Sequence, residues 1–463
     1  MFFNKKKYFD ILFSILKLTF YKLKKLCFLL FFTFSGIVNS QTQFTFSDSK
    51  KSETIKFKLA SNLIIIPIEV NGANLSFLLD TGVTKPILFN ITQNDSLEIK
   101  NITKIVLKGL GGGMPVKAYR STGNTFNVNG IFNKNQDLYV ILDEKINFSP
   151  RLGYPVHGII GYDFFKNLVV DINYVSKKIK VYSPSKFKSK KCKTCETFDL
   201  EIIGNKPFIR ASSMGEHIEG IDLKLLIDSG SSDALWLIEN EDKNLAVPEK
   251  SFEDFLGFGL SGGIYGHRAR LEHFSIGGFN LKEVKVAFPD SVSIKHLRKV
   301  NDRDGSIGGE ILKRFRVTFN YKENKITLKR NANFNKPFKF NMSGIELMQT
   351  GNRLVKELET RNQVLINDEN KSLKGITILP GEKYKYSLKP AFEIVEVREQ
   401  SPAHLAGLRK GDILLSVNGK FVHRYTLDQI IEMINEEEGK LIRLIIERNL
   451  EEMKFVFKLE SLL

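Results

Sequence analysis

Leu225-Leu226-Ile227-Asp228-Ser229-Gly230-Ser231-Ser232-Asp233-Ala234-Leu235-Trp236 decides how the rest of this chain reads. Apolar strand formers deliver a carboxylate to the mouth of a turn. Ser-Gly-Ser-Ser then reverses the backbone, and Ala-Leu-Trp returns it to an apolar interior. A carboxylate at the end of a buried strand is costly unless donors surround it. The Ser229 and Ser231 hydroxyls and the amides of the turn can supply them. A single Asp-Ser-Gly is an ordinary turn sequence and carries no function by itself.

A second copy changes that reading. Phe77-Leu78-Leu79-Asp80-Thr81-Gly82 presents the same strand, carboxylate and turn earlier in the chain. Each copy follows an expected hairpin strand, 63–70 closed by Asn71-Gly72 in one case and 207–212 in the other. Each precedes a glycine cluster, around Gly111-Gly112 and around Gly262-Gly263. Further on, Gly158-Ile159-Ile160-Gly161 is echoed by Gly305-Ser306-Ile307-Gly308. Val169-Val170-Asp171-Ile172-Asn173-Tyr174 is likewise echoed by Val317-Thr318-Phe319-Asn320-Tyr321. Landmarks in the same order at nearly constant offset make an internal repeat.

These paired motifs resemble the two lobes of pepsin-like and retropepsin-like aspartic proteases. The resemblance covers residues 54–330, with Ile159-Ile160-Gly161 and Ser306-Ile307-Gly308 at the second motif position of each lobe. Ser306 is less apolar than that family favours there. Val83-Thr84-Lys85-Pro86 after the first turn also departs from the pepsin pattern and is nearer to shorter bacterial versions. The resemblance implies a mostly β protein of two homologous lobes about a pseudo-twofold axis, with Asp80 and Asp228 as the catalytic pair. It implies that the Thr81 and Ser229 hydroxyls tie the turns together. Gly82, Gly230 and Ser231 complete those turns.

The composition is that of a globular protein, with 42% hydrophobic and 26% charged residues in a chain of 463. That length suits two to four domains. The net charge of +17 is spread over the surface except at the start, where residues 1–40 are lysine-rich. Lys22, Lys24 and Lys25 precede an apolar run over 26–38, shorter than a bilayer span, and Val38-Asn39-Ser40 offers a cleavage point. Residues 1–40 thus read as a signal peptide, making the product periplasmic or secreted. The long leader leaves an uncleaved membrane anchor as the alternative. The polar residues after Gln43 read as a mature N-terminal tail.

The first lobe is expected over 41–183 and the second over 197–332, joined by a linker at 184–196. Five lysines surround Cys192-Lys193-Thr194-Cys195 in that linker. One Cys-x-x-Cys cannot complete a zinc site. A solvated linker with a local disulfide accounts for it, with a polyanion patch or a redox or metal half-site as the alternative. His217, His267 and His273 lack metal-ligand spacing. No cofactor, metal or nucleic-acid motif is expected.

Residues 335–463 differ. The stretch 401–420, including Gly407, Gly411-Asp412 and Asn418-Gly419, resembles the core of a PDZ domain, an α+β fold. Thr426 can cap a helix, with Gln429 completing a capping box and Leu427, Ile430, Ile431 and Ile434 as its apolar stripe. Upstream, Ser343-Gly344-Ile345-Glu346-Leu347 looks like a PDZ carboxylate-binding loop and receiving strand. That resemblance implies peptide C-termini as ligands. The polar segment 356–390 has no place in this scheme.

Peptide hydrolysis needs an activated water and a proton for the leaving nitrogen. Two adjacent carboxylates cannot both ionise easily, so one can act as base while the other holds a proton. The glycine clusters at Gly111, Gly112, Gly262 and Gly263, with Tyr119 and Tyr265 nearby, are candidate flaps over the cleft. The expectation is an exported aspartic endopeptidase acting on polypeptides. A catalytically silent pepsin-like and PDZ peptide-binding protein is the alternative.

Overall fold

The computed structural model describes residues 43–463 apart from 48–49, 92–96, 112, 189–191, 215–219, 295–302, 360–363, 366–376 and 379–382. The leader with its cleavage point, Gly112 and His217 therefore lie outside the described residues. The described chain is mostly β, as the short alternating runs and turn residues imply.

Two sheets carry the internal repeat. In the first, Leu63–Val70 and Ala73–Leu79 form a hairpin closed by Asn71 and Gly72, both at positive φ as its tight turn requires. Gly158–Ile160 then inserts parallel to Ala73–Leu79 and antiparallel to Ile87–Leu88. In the second, Lys206–Met214 pairs with Ile221–Ile227, and Gly305–Ile307 inserts parallel to Ile221–Ile227 and antiparallel to Leu235–Leu237. Every residue of both inserted strands is buried, so neither shows the alternation of a half-exposed strand.

A six-stranded sheet joins the lobes. Val169–Asn173 and Phe315–Asn320 pair antiparallel at its centre, with Ile172 opposite Val317. Lys178–Tyr182 and Ser52–Lys56 extend it on one side, Lys325–Arg330 and Cys195–Asp199 on the other. Val170, Ile172, Val317 and Phe319 are buried in a core continuous with both lobes. Full burial of each such side chain contributes about 1.5–3 kcal/mol, so the central pair fixes one lobe against the other. The Cys192–Cys195 disulfide is formed beside the last of these strands.

The C-terminal domain has a separate core in which Ile345, Leu347, Ile394, Ile430 and Ile442 are buried. Its helix Leu427–Met433 begins at the expected capping box of Thr426 and Gln429. Leu427, Ile430 and Ile434 face the core, while Ile431 stays half-buried.

Three expectations change. The segment after Gln43 is not a free tail: Phe44 is buried and Thr45–Phe46 pairs with Phe132 and Ile131, because two alternating Phe give it an apolar edge. Residues 335–338, expected to open the C-terminal domain, pack with the second lobe. The buried Arg314 guanidinium donates to the Phe334 carbonyl and lies 3.5 Å from the Phe338 ring centroid, and Phe338 joins the lobe core. The polar 356–390 segment includes the outer part of a ribbon in which Ile345–Glu359 pairs with Lys383–Val397. Leu354, Leu358, Tyr386 and Leu388 on that ribbon are exposed.

Candidate active site

Asp80 and Asp228 end equivalent strands, and the inserted strands hold both: Asp80 N donates to the Ile160 carbonyl at 2.8 Å and Asp228 N to the Ile307 carbonyl at 2.9 Å. Each carboxylate accepts from the amide two residues on, Gly82 N at 2.7 Å and Gly230 N at 3.1 Å. The glycines are required by proximity. A Cβ on Gly82 would lie 3.1 Å from Asp80 Oδ1 and 3.2 Å from Asp228 Oδ1, and one on Gly230 would lie 2.2 Å from Asp80 Cγ. The two carboxyl groups therefore approach each other across glycine backbone that leaves no room for a side chain.

Four bonds lock the turns together. Thr81 Oγ1 donates to the Ile227 carbonyl at 2.6 Å and accepts from Ser229 N at 3.0 Å. Ser229 Oγ donates to the Leu79 carbonyl at 2.7 Å and accepts from Thr81 N at 3.0 Å. Ser231, the remaining turn residue, lines the pocket, and its amide closes the turn on the Asp228 carbonyl.

Desolvation, then the charge of Asp228, push the Asp80 carboxyl up to about 8, against the opposing pull of Gly82 N–H and Lys206. Such a pair holds one proton between its members near neutrality. It forms the floor of a cavity of about 570 Å³, within the range of small-ligand sites.

The roof comes from both lobes. The loop after strand Thr103–Leu107 meets the tip of the hairpin formed by Ser251–Gly259 and Gly262–Ile276. Ser261 N donates to the Leu110 carbonyl at 2.9 Å and Gly113 N to the Ser261 carbonyl at 2.8 Å. Gly111 (φ +115°) packs so tightly that a Cβ would fall 2.7 Å from the Ser261 carbonyl carbon. Gly262 (φ +111°) and Gly263 sit at the opposing tip, where a Cβ on Gly262 would meet nothing. Gly109, Leu110, Gly259 and Leu260, neighbours of the expected flap glycines, are the residues that line the cavity. Tyr119 packs against the core and Tyr265 against the Phe255 ring, and neither lines it. His267 and His273 keep buried Nδ1 atoms without a partner and also lie off the cavity.

The C-terminal domain supplies a wall through Glu346, Leu347 and Ile431. It is tied to both lobes. Ser61 N donates to Asp428 Oδ1 at 3.1 Å, and Arg398 reaches Asp254 at 3.5 Å, where Arg268 also binds Asp254 at 2.6 Å. The expected carboxylate loop is not available as drawn from sequence. Ser343 N donates to Asn435 Oδ1, Gly344 N to Asn341 Oδ1 and Ile345 N to Ser343 Oγ. Those amides are satisfied internally, because Asn341 and Asn435 flank the loop. The groove beyond is also engaged. Helix Ser149–Leu152 of the first lobe packs on strand Ile345–Glu359, and a Cβ on Gly153 would lie 3.1 Å from Leu427 Cβ and 3.7 Å from Gln349 Oε1. Desolvation, then the charge of Asp254, raise the Glu346 carboxyl above the usual range.

Other lining residues escaped the sequence reading: Lys206, Arg303, Arg151, Trp236 and Phe258. Lys206 could have been found by counting hairpin register back from Asp228. Arg151 and Phe258 have no such signal, since their places depend on how separate loops pack.

Comparison with known proteins gives three findings. Residues 66–164 match the family described as aspartyl protease, and residues 393–448 match the PDZ domain family. No curated protein matches the chain in sequence. Among solved structures, an aspartic proteinase from Irpex lacteus aligns at 12% identity and a TM-score of 0.40, over 61% of this chain and 98% of that one. The chain thus carries an aspartyl protease domain and, C-terminal to it, a PDZ domain.

Proposed function

We propose that this protein is an exported aspartic endopeptidase in which Asp80 and Asp228 activate one water between them. The observation that supports this most is the meeting of the two carboxyl groups, one of them raised to about 8, at the floor of a roofed cavity. The ionised carboxylate takes a proton from the water as its oxygen adds to the scissile carbonyl carbon. The protonated partner gives its proton to the carbonyl oxygen. In the second step the protonated carboxyl gives its proton to the leaving nitrogen, the ionised one takes a hydroxyl proton from the tetrahedral intermediate, and the C–N bond breaks, which restores the singly protonated dyad. The Thr81 and Ser229 lock serves this chemistry by holding the carboxyl groups without reorganisation. The two-lobed roof excludes water around a bound peptide.

Export remains part of the proposal and is supported by the basic and then apolar order of residues 1–40. For the PDZ domain the proposed role is a wall of the substrate cleft. The occupied loop amides favour this over a separate arm that gathers C-termini.

The test is a peptide library incubated with full-length protein and read by mass spectrometry. Internal cleavage is expected, lost in Asp80→Asn and in Asp228→Asn while both variants remain folded with a cooperative thermal transition. Hydrolysis by either folded variant would rule out the dyad. Trimming from chain ends alone would rule out endopeptidase action. Binding without cleavage would favour a silent peptide receptor.

A further inference from the structure

The two halves of the cavity are not chemically equivalent. Ile65 faces Leu78 in the first hairpin and Phe208 faces Leu226 in the second. Counting outward, Leu63 stands opposite Asp80 and Lys206 stands opposite Asp228. The inserted strands give a second correspondence, because Gly158 faces Phe77 and Gly305 faces Leu225. Val156 of the first lobe therefore matches Arg303, and Ile159 matches Ser306. Three apolar positions on one side of the dyad are answered by two cations and a hydroxyl on the other.

Leu63 and Ile159 line the cavity on their side, and Lys206, Arg303 and Ser306 line it on theirs. Lys206 and Arg303 are half-buried. Among the described residues no hydrogen bond or ion pair engages the Lys206 ammonium. Among the described residues Arg303 donates from Nε to the Gly305 carbonyl at 2.9 Å, and its terminal nitrogens form no ion pair. Desolvation, then the charge of Arg303, lower the Lys206 ammonium, while Asp228 and Asp80 act against that shift. A dyad holding one proton carries a single negative charge, so two cations face one anion. Partly buried cations without an ion-pair partner in contact are costly, and an incoming anion would relieve that cost.

We propose that Lys206 and Arg303 form a carboxylate-binding subsite on the second-lobe side of the scissile bond. The protein would then select polypeptides that place a carboxylate there and an apolar side chain against Leu63 and Ile159. This rests on the reading of the cleft as the peptide-cleaving site and names its substrate class. The carboxylate belongs to an acidic side chain or to a chain terminus. Both fit the same two cations.

The experiment uses the full-length protein and matched peptides that differ only by Glu, Gln or Lys beside an apolar residue, each with a free or an amidated C-terminus. The Glu peptide should exceed its Gln counterpart about tenfold or more in kcat/KM, as desolvated charge pairing allows. A preference that survives amidation identifies the side chain, and one lost on amidation identifies the terminus. Lys206→Leu, which installs the first-lobe residue at the equivalent place, should bring the Glu-to-Gln ratio to within about twofold, and Lys206→Glu should turn the preference toward Lys. Equal rates for Glu and Gln in the wild type would overturn the proposal, as would an unchanged ratio in both Lys206→Leu and Arg303→Leu. Cations that merely adjust the dyad would move the pH profiles of both peptides together and leave the ratio intact, which also counts against it. If no peptide is cleaved, the protease reading fails separately. Fluorescence anisotropy then reads the subsite directly: tighter binding of the Glu peptide, lost in Lys206→Leu, supports it, and equal binding sinks it.

Discussion

Thr81 and Ser229 each donate to the carbonyl that precedes the other's aspartate and each accept the other's backbone N–H. The arrangement is reciprocal across the lobes, and both side chains are buried. It converts a sequence repeat into a geometric constraint, because neither turn can move without breaking bonds to its counterpart.

Thr81→Val should therefore act on both lobes at once. The substitution strips the Ile227 carbonyl of its donor and Ser229 N of its acceptor, leaving buried groups unpaired at about 1–3 kcal/mol each. A clear drop in the urea midpoint is expected, with Thr81→Ser retaining most of the wild-type stability. Cleavage rate should fall further than stability alone explains, since the carboxyl groups lose their fixed separation. A Thr81→Val protein with wild-type midpoint and rate would remove the lock from the argument.

The raised Asp80 carboxyl carries a stability signature with a definite sign. Its folded-state value, about 8, lies above the ordinary 3.8, so the folded protein favours the protonated form. The associated stability is fully present below about pH 4 and is lost as pH rises toward 8. Asp80→Asn, which cannot ionise, should be more stable than wild type at pH 8 and little different near pH 4. Denaturation midpoints across that range would show it, and a gap that closes with rising pH would contradict it. The cleavage rate should decline on the alkaline side as the shared proton is lost. Because Lys206 pulls Asp80 downward, Lys206→Met should move that alkaline limb to higher pH.

The roof predicts a separation of binding from stability. Gly111→Val would drive a side chain into the Ser261 backbone from a left-handed conformation that valine resists. The Leu110 and Ser261 contact should open while the cores beneath stay packed. Peptide KM should rise several-fold with little change in thermal midpoint. Gly262→Ala, at a φ of +111° but with open space around it, should be milder.

The parts of this molecule differ in how far sequence could reveal them. Asp80 and Asp228 could be paired from sequence because each ends an apolar strand and repeats in register with three later landmarks. The Thr426 and Gln429 capping box was also readable, being local. The Leu110 and Ser261 contact was not, since it depends on loops of different lobes converging. Phe44 was missed because a polar neighbourhood masked a two-residue alternation. The PDZ carboxylate loop was misread for a related reason: its motif was visible, but the Asn435 side chain that satisfies Ser343 N lies far along the chain.

The sharpest consequence concerns the PDZ domain. A module that only recruits substrate could be removed without harm to short-peptide cleavage. Here Glu346, Leu347 and Ile431 line the cavity that holds Asp80 and Asp228, and Arg398 shares Asp254 with Arg268. Deleting residues from 341 onward would unroof that wall, leave the Arg268 and Asp254 pair open to solvent, and uncover the Phe252 ring beneath the Arg398 guanidinium. Short and long peptides should therefore both lose kcat/KM, by about tenfold or more, since a misaligned wall costs positioning as well as affinity. Arg398→Ala keeps the domain and its Asp428 tie to Ser61 while removing the tie to Asp254, so it should give a smaller loss shared by the same substrates. Each protein would be assayed on a short amidated peptide, a long amidated peptide and a long free-acid peptide. Loss confined to the long free-acid peptide would restore the recruiting arm. Uniform loss in the truncation and in Arg398→Ala, with a native midpoint in the latter, fits a PDZ domain built into the cleft.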